Sequence, residues 1–249
     1  MTLKNLVVLI TGASSGIGKQ CAIDVSNAGA NVILFGRNRD RLDEVYKNLS
    51  PGNHLAFQVD ITDYDKIEPL IEEIVDKVGK ISGFVSCAGV ESTLPIQALK
   101  PNVYKELFSI NVIAGFEIAR IISKKKFFKT EGASFVFLSS IMSVLGAKGK
   151  IAYCSSKSAL LAGVKAMALE LAPKKIRVNC VSPAIVETEM TQKMFKELPE
   201  DSKSELLAKH LLGFGKPSDI SNLVKFLLSD QSRWITGTNL IIDGGYSCH

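Results

Sequence analysis

Hydrophobic and polar positions follow two alternating rhythms along the chain. Short runs that are apolar at nearly every position and rich in β-branched residues recur as LVVLIT (6–11), NVILFG (31–36), HLAFQV (54–59), ISGFVS (81–86), SFVFLS (134–139), IRVNCV (176–181) and TNLIID (238–243). Each is strand-length, and its unbroken apolarity predicts burial on both faces. Between them lie longer segments whose apolar residues return at helical spacing, among them GKQCAIDVSNAGA, RDRLDEVYKNL, YDKIEPLIEEIVDKVG and KSALLAGVKAMALELAP. Strand and helix alternate throughout, which predicts a parallel sheet covered by helices. The usual solution is right-handed and doubly wound, with its ligand crevice at the carboxyl ends of the strands. No repeat or low-complexity linker divides the 249 residues, so one α/β domain spanning 1–249 is expected. The polar, helical stretch 187–217 breaks the rhythm, and its length suits a mobile lid over a site, at about 188–212.

Composition narrows the class. With 46% hydrophobic and 22% charged residues the chain can bury a large core. Its apolar runs fall far short of the roughly 20 residues that span a bilayer, so no membrane insertion is expected. The start, MTLKNLVVLITG, runs directly into a strand and lacks the charged head, apolar run and cleavage site of a signal peptide, which predicts a cytoplasmic protein. Five scattered cysteines (Cys21, Cys87, Cys154, Cys180, Cys248) without a CxxC pair, and three histidines (His54, His210, His249), predict neither a disulfide framework nor a metal site. The net charge of +5 is explained by lysines on solvated helix faces as well as by acidic partners, and nucleic acid is not expected as a partner.

Candidate chemistry begins after the first strand. LVVLITGASSGIGKQCAIDVSNAGA places Gly12, Gly16 and Gly18 between a buried strand and an amphipathic helix. Glycines admit a close backbone approach and a helix N-terminus offers free N–H groups, so this unit can hold a pyrophosphate. The second strand ends NVILFGRNRD. An acidic residue at that point accepts hydrogen bonds from the adenosine ribose, whereas arginine accommodates a 2′-phosphate. Gly36 stands at the acidic position and Arg37 follows it, which favours NADP(H) over NAD(H). The bland alternative is that Arg37 is a surface residue opening a helix with Arg39 and Arg41.

A nicotinamide lying across the sheet would need a proton donor beside the substrate carbonyl. Tyr153 and Lys157 are four apart and share a helix face, so the ammonium would favour the phenolate of a side chain whose pKa is ordinarily about 10. Ser140, at the end of the fifth strand, can bond the carbonyl oxygen. Taken singly, such residues are ordinary helix and turn residues.

The chain as a whole resembles the short-chain dehydrogenase/reductase family, through TGASSGIG, VDITD, SCAGV, SINVIAGF, FLSS, YCSSK, NCVSPAIVETEM and WITGTNLIIDGG in the family's order and spacing. The resemblance implies a Rossmann-type, doubly wound sandwich with a seven-stranded parallel sheet and a helical substrate lid. It also implies an active-site tetrad of Asn111, Ser140, Tyr153 and Lys157. In that set Tyr153 acts as general acid in reduction and Ser140 binds the substrate oxygen. Lys157 lowers the tyrosine pKa and binds the nicotinamide ribose, and Asn111 holds a water that links Lys157 to solvent. The implied cofactor contacts are Gly12, Ser14, Ser15, Gly16, Ile17 and Gly18 in the loop, Arg37, then Asp60 and Ile61 at the adenine. Ala88 and Gly89, the pair Tyr153 and Lys157, and Pro183, Val186 and Thr188 beside the nicotinamide complete them.

Two positions depart from the family pattern: Ser86 and Cys87 replace its paired asparagines, and Ala184 replaces the glycine after Pro183. Both put cofactor affinity in question more than proton transfer. VETEMTQKM, GFGKPSDISNLVKFLLSD and ITGTNLIIDGG are most similar to the 3-oxoacyl-[acyl-carrier-protein] reductase branch. This implies a carbonyl substrate presented by an acidic acyl carrier protein. Lys124, Lys125, Lys126, Lys129, Lys174 and Lys175 are the basic residues expected near the site entrance, although lysines also complement helix C-termini. The family is also commonly homotetrameric. Alternatives are a reductase of a sugar, polyol, steroid or small secondary alcohol, and, from another class, a cofactor-binding sensor without catalysis.

Overall fold

The computed structural model describes residues 2–197 and 199–248; Leu198, within the expected lid, lies outside the described residues. All seven apolar runs form strands: β1 (Val7–Thr11), β2 (Asn31–Gly36), β3 (Leu55–Gln58), β4 (Gly83–Ser86), β5 (Ala133–Leu138), β6 (Ile176–Pro183) and β7 (Asn239–Ile242). They make one parallel sheet in the order β3-β2-β1-β4-β5-β6-β7. Strand side chains alternate between faces, so the inner runs feed two cores; the edge strands β3 and β7, expected to be buried on both faces, are only partly buried because each has a neighbour on one side. Leu9, Ile33 and Phe35 join one cluster, while Val8, Ile10, Val32 and Leu34 join the other.

Helices cover both faces. The second cluster is closed by α1 (Gly16–Asn27), α2 (Arg39–Lys47) and α9 (Pro217–Leu228) through Cys21, Val25, Leu42, Val224 and Leu227. The first is closed by α3 (Tyr64–Val78), α5 (Ala114–Ile122) and α6 (Ile151–Leu171) through Ile67, Ile71, Ile118, Leu160 and Val164. A further helix, α4 (Pro101–Phe108), runs into α5 through a π-helical turn at Ser109–Ile113. No described helix is long and apolar enough to cross a membrane.

Strand order reverses beside β1, whose neighbours are β2 and β4. The chain leaves those two strands toward opposite faces, and a crevice opens at their carboxyl ends. Two helices, α7 (Glu189–Glu197) and α8 (Glu200–Ala208), occupy the stretch where the lid was expected, and Glu189 and Met190 of α7 border the crevice. Their return to the body is anchored by buried His210. Its Nδ1 lies 2.7 Å from the Leu206 carbonyl oxygen, its Nε2 accepts the Ile185 N–H at 3.4 Å, and its ring lies 4.6 Å from Tyr246.

The position expected for the basic residues is corrected. A helix joining parallel strands runs back to the amino edge, so Lys124–Lys126 and Lys129 end up before β5, and Lys174 and Lys175 before β6. The eight residues of β6 separate that edge from the crevice by roughly 25 Å. Lys124 pairs with Glu68 at 2.5 Å and Lys126 with Glu72 at 2.9 Å, and Lys129 donates to the Asn5 carbonyl oxygen. These lysines do not flank the entrance of their own chain's crevice.

The first core carries an aromatic ladder. Phe84 meets Phe135 and Phe137 edge-on at 5.9 and 5.8 Å, and Phe137 meets Phe116 at 5.7 Å, which ties β4 and β5 to α5. Phe137→Ala is expected to cost about 3–5 kcal/mol from lost transfer energy and the cavity left behind. Urea unfolding monitored by circular dichroism measures it, with an unchanged m-value if the native fold persists.

Candidate active site

The crevice is built on contacts that exclude side chains. Gly12 has φ of +65°, and a Cβ there would lie 2.8 Å from the Ala88 nitrogen. A Cβ on Gly18 would lie 2.2 Å from the Gly12 carbonyl oxygen. Helix α1 therefore starts directly on the loop, and its N-cap Ser15 makes no side-chain capping bond, which leaves first-turn N–H groups for an anion.

The cavity above this loop measures about 360 Å³. Gly12, Ser14, Ser15, Gly16, Ile17 and Gly18 line it from β1 and α1. Arg37, Asp60 and Ile61 line the end beyond β2 and β3, Ala88 and Gly89 line it from β4, and Thr188 closes it from the lid side. Asp60 accepts from the Thr62 hydroxyl at 2.7 Å and the Thr62 N–H at 2.9 Å; these bonds, with Arg37, hold its carboxyl below the usual range. A loop of backbone donors, a guanidinium and a carboxylate in one elongated cleft fit a dinucleotide. Among the described residues no cluster of three His, Cys, Asp or Glu side chains is placed to hold a metal ion.

At Gly89 the cleft meets the second group of side chains. A Cβ on Gly89 would lie 3.3 Å from Lys157 Nζ and 3.4 Å from Asn111 Oδ1. Lys157 is buried and donates from Nζ to the Leu138 carbonyl oxygen at 2.7 Å, while Ser139 Oγ donates to the Lys157 carbonyl oxygen at 2.9 Å. Loss of water pushes the ammonium down to about 8. Asn111 sits in the π-helical turn, a distortion that recurs at functional sites. Its Oδ1 accepts from Val90 N–H at 2.8 Å, and its Nδ2 donates to the Val90 carbonyl at 2.9 Å and to Ser156 Oγ at 3.0 Å.

Ser140 caps a single 3₁₀ turn at Ile141–Ser143 and accepts from Met142 N–H at 3.2 Å. Burial of the Tyr153 phenol pushes its pKa up to about 12, the Ser140 hydroxyl pulls it back by hydrogen bonding, and the charge of Glu91 raises it further. This differs from the expectation that Lys157 holds the phenol low. Lys157 Nζ lies over the ring face, 5.9 Å from its centroid, and loss of water dominates. Serine, tyrosine and lysine nonetheless converge on the mouth between β5 and α6.

The remaining expected residues border this region. Pro183 ends β6, buried Val186 bridges to Gly215, and Thr188 caps α7 in reciprocal bonds with Thr191 of 2.8 and 3.4 Å. The departures at Ser86 and Cys87 leave main-chain bracing in place, since Thr11 Oγ1 accepts from Ala88 N–H at 3.2 Å and Asn111 clamps Val90. Sequence reasoning did not name Asn38, Val90, Ile110, Glu189 or Met190 as lining residues, and Arg41 entered only in the alternative that made Arg37 a surface residue; all border the cleft. Arg41 had a signal, being a second guanidinium in the first turn of the helix that Arg37 leads into. Val90 and Ile110 had none.

Comparison with known proteins adds an independent line. The sequence model of the family described as enoyl-(acyl carrier protein) reductase matches residues 12–247. The 3-oxoacyl-[acyl-carrier-protein] reductase FabG of Thermotoga maritima is 34% identical over 248 residues, covering 98% of this chain and 99% of that one. The NAD-dependent glycerol dehydrogenase of Listeria innocua is 36% identical over 242 residues, covering 97% and 93%. Among solved structures, a short-chain dehydrogenase/reductase from Brucella melitensis superposes with a TM-score of 0.91 at 28% identity, covering 99% of each chain. A 7α-hydroxysteroid dehydrogenase complexed with NADH and 7-oxo glycochenodeoxycholic acid gives 0.91 at 27%, covering 98% and 95%.

The buried ammonium makes stability pH-dependent. Below about pH 8 Lys157 is charged in both states and the fold carries the full dehydration cost; between 8 and 10.5 the unfolded chain binds more protons, so this contribution to stability rises with pH. Lys157→Met removes the effect. The stability of the variant relative to wild type should therefore fall by roughly 2–3 kcal/mol between pH 7 and pH 10, read from urea midpoints at each pH. A difference that stays constant with pH would contradict the burial argument.

Proposed function

The chain belongs to the short-chain dehydrogenase/reductase family, and from that premise we propose that it interconverts a ketone and a secondary alcohol with NADP(H), as a 3-oxoacyl-[acyl-carrier-protein] reductase. The observation that carries the reaction class is the convergence of Ser140, Tyr153 and Lys157 where a glycine-lined dinucleotide cleft ends at Gly89. When bound, the nicotinamide supplies or accepts the hydride. Ser140 Oγ holds the substrate oxygen, and the Tyr153 hydroxyl delivers a proton to it in reduction. A phenol that stays protonated near neutrality is ready to donate in the reductive direction. Lys157 binds the nicotinamide ribose, and its charge aids return of the proton to the phenolate. Asn111 holds the 90 segment against α6 and so keeps Lys157 placed. The helices α7 and α8 form the substrate lid over residues 188–212. Arg37 favours the 2′-phosphate, in keeping with the absence of a carboxylate at Gly36.

A second reading, a dehydrogenase of a small polyol, is favoured by the 36% identical glycerol dehydrogenase. Turnover of acetoacetyl-carrier thioester, its free thioester analogue and dihydroxyacetone, each with NADPH and NADH, separates the two. The proposal expects the carrier thioester with NADPH to be the preferred pair, and turnover of dihydroxyacetone alone moves the assignment to the second reading. Tyr153→Phe should lower the rate by about 10²–10⁴-fold while the variant still binds the cofactor. Biological activity retained by that variant would instead support a non-catalytic sensor.

Carrier docking also depends on assembly. With Lys129 and Lys175 at the amino edge of the sheet, a carrier held by them would serve the crevice of another copy. A cytoplasmic homotetramer completes the proposal, supported by Leu169, 81% exposed on α6, and Trp234, 90% exposed before the edge strand β7. Light scattering should give four copies, and Leu169→Glu should reduce that number. In the carrier assay, Lys129→Glu with Lys175→Glu should raise KM at least about 10-fold for carrier thioester and leave the free thioester unchanged.

A further inference from the structure

The adenosine end of the cleft holds an interaction outside the proton-transfer site. Arg41, in the first turn of α2, lines the cleft beside Arg37 and Asn38. Its Nη1 lies 3.9 Å from Oε2 of Glu189, the first residue of the lid helix α7. The arginine between them in sequence is committed elsewhere: Arg39 pairs with Asp43 at 2.8 Å and donates to the Ala56 carbonyl oxygen at 3.4 Å. Arg37 and Arg41 are thus the guanidiniums available to the cleft. Among the described lining residues the acids are Asp60 and Glu189, and Asp60 is already engaged by Thr62.

Arg41 and Glu189 are 59% and 56% exposed, so their pair contributes little to stability. Its position gives it meaning. A phosphate bound between Arg37 and Arg41 would offer the guanidinium a doubly charged, bidentate partner, which outcompetes a solvated carboxylate at longer range.

We propose that Arg41 is a second specificity-determining residue for the 2′-phosphate, shared between that phosphate and Glu189, so that binding of the phosphorylated cofactor releases the first turn of the lid. The inference rests on the NADP(H) reading above. A cofactor without the 2′-phosphate leaves the pair intact, so the lid would start from a different tether with each nicotinamide.

Dissociation constants provide the test without turnover. NADPH, NADH and adenosine 2′,5′-bisphosphate are titrated calorimetrically into wild type, Arg37→Ala, Arg41→Ala, Glu189→Gln and the Arg41→Ala/Glu189→Gln double variant. Arg41→Ala should weaken NADPH and the bisphosphate roughly 10-fold and leave NADH within about 2-fold. Glu189→Gln should tighten the two phosphorylated ligands by about 2–5-fold, and that gain should vanish in the double variant. A gain that persists without Arg41 overturns sharing in favour of plain charge repulsion, and a silent Arg41→Ala overturns the proposal outright. If Arg37→Ala weakens the bisphosphate while Arg41→Ala does not, this inference alone falls. Tighter wild-type binding of NADH than NADPH, with Arg37→Ala also silent, removes the NADP(H) reading and the inference together.

Discussion

The close approach of Gly12 to the main chain after β4 sets the geometry on which the site depends. With a Cβ position only 2.8 Å from the Ala88 nitrogen, no side chain fits between β1 and the residues that follow β4. The Thr11 hydroxyl bonds the Ala88 N–H across that contact. The loop after β1 can then turn back into α1, and Gly18 lets that helix rest on the Gly12 carbonyl. One contact therefore places the helix N-terminus, the floor of the cleft and the segment 87–90 together. Asn111 grips the same segment from the far side, so the glycine-lined cleft and the proposed proton-transfer group share one strip of main chain.

That strip borders a costly arrangement. Lys157 is a buried ammonium whose hydrogen-bond acceptor among the described residues is the Leu138 carbonyl oxygen, and removal of its water opposes the charge. The large core on both sides of the sheet makes such a cost tolerable in a chain of this size. Placement explains why it is tolerated here: the ammonium, the phenol and the mouth of the cleft all lie at the carboxyl edge, where strand ends and loops leave room for a ligand.

Legibility followed the range of the interactions. The inner strands were readable because short β-branched apolar runs are buried on both faces, as NVILFG and SFVFLS show, whereas β3 and β7 form edge strands that are only partly buried. The glycine loop was readable because its constraint is local, a turn between adjacent elements. The π-helical turn at Asn111 was not, since SINVIAGF continues an ordinary helical pattern and the extra residue in the turn is accommodated by tertiary contacts with Val90 and Ser156. The lysines after α5 and α6 were misplaced for a related reason. Sequence position told that they end helices, whereas sheet direction decides which edge they occupy. The raised tyrosine pKa was also beyond spacing arguments, because four-residue separation places Nζ over the ring without saying how much water surrounds the hydroxyl.

The lid shows where local and long-range information combine. Its helical character was visible from residue spacing, yet Glu189 faces Arg41 from 148 positions away and Thr188 closes over the loop at Gly16, with 3.3 Å between Thr188 Cγ2 and the Gly16 Cβ position. The lid therefore begins inside the cofactor cleft rather than beside it. On the proposed function, a substrate admitted beneath this stretch would meet residues that also line the dinucleotide cleft, which would link selection of the carbonyl to selection of the nicotinamide. The stretch is held by His210 at one end and by Thr188 and Glu189 at the other, and the second of these attachments lies within the cleft itself.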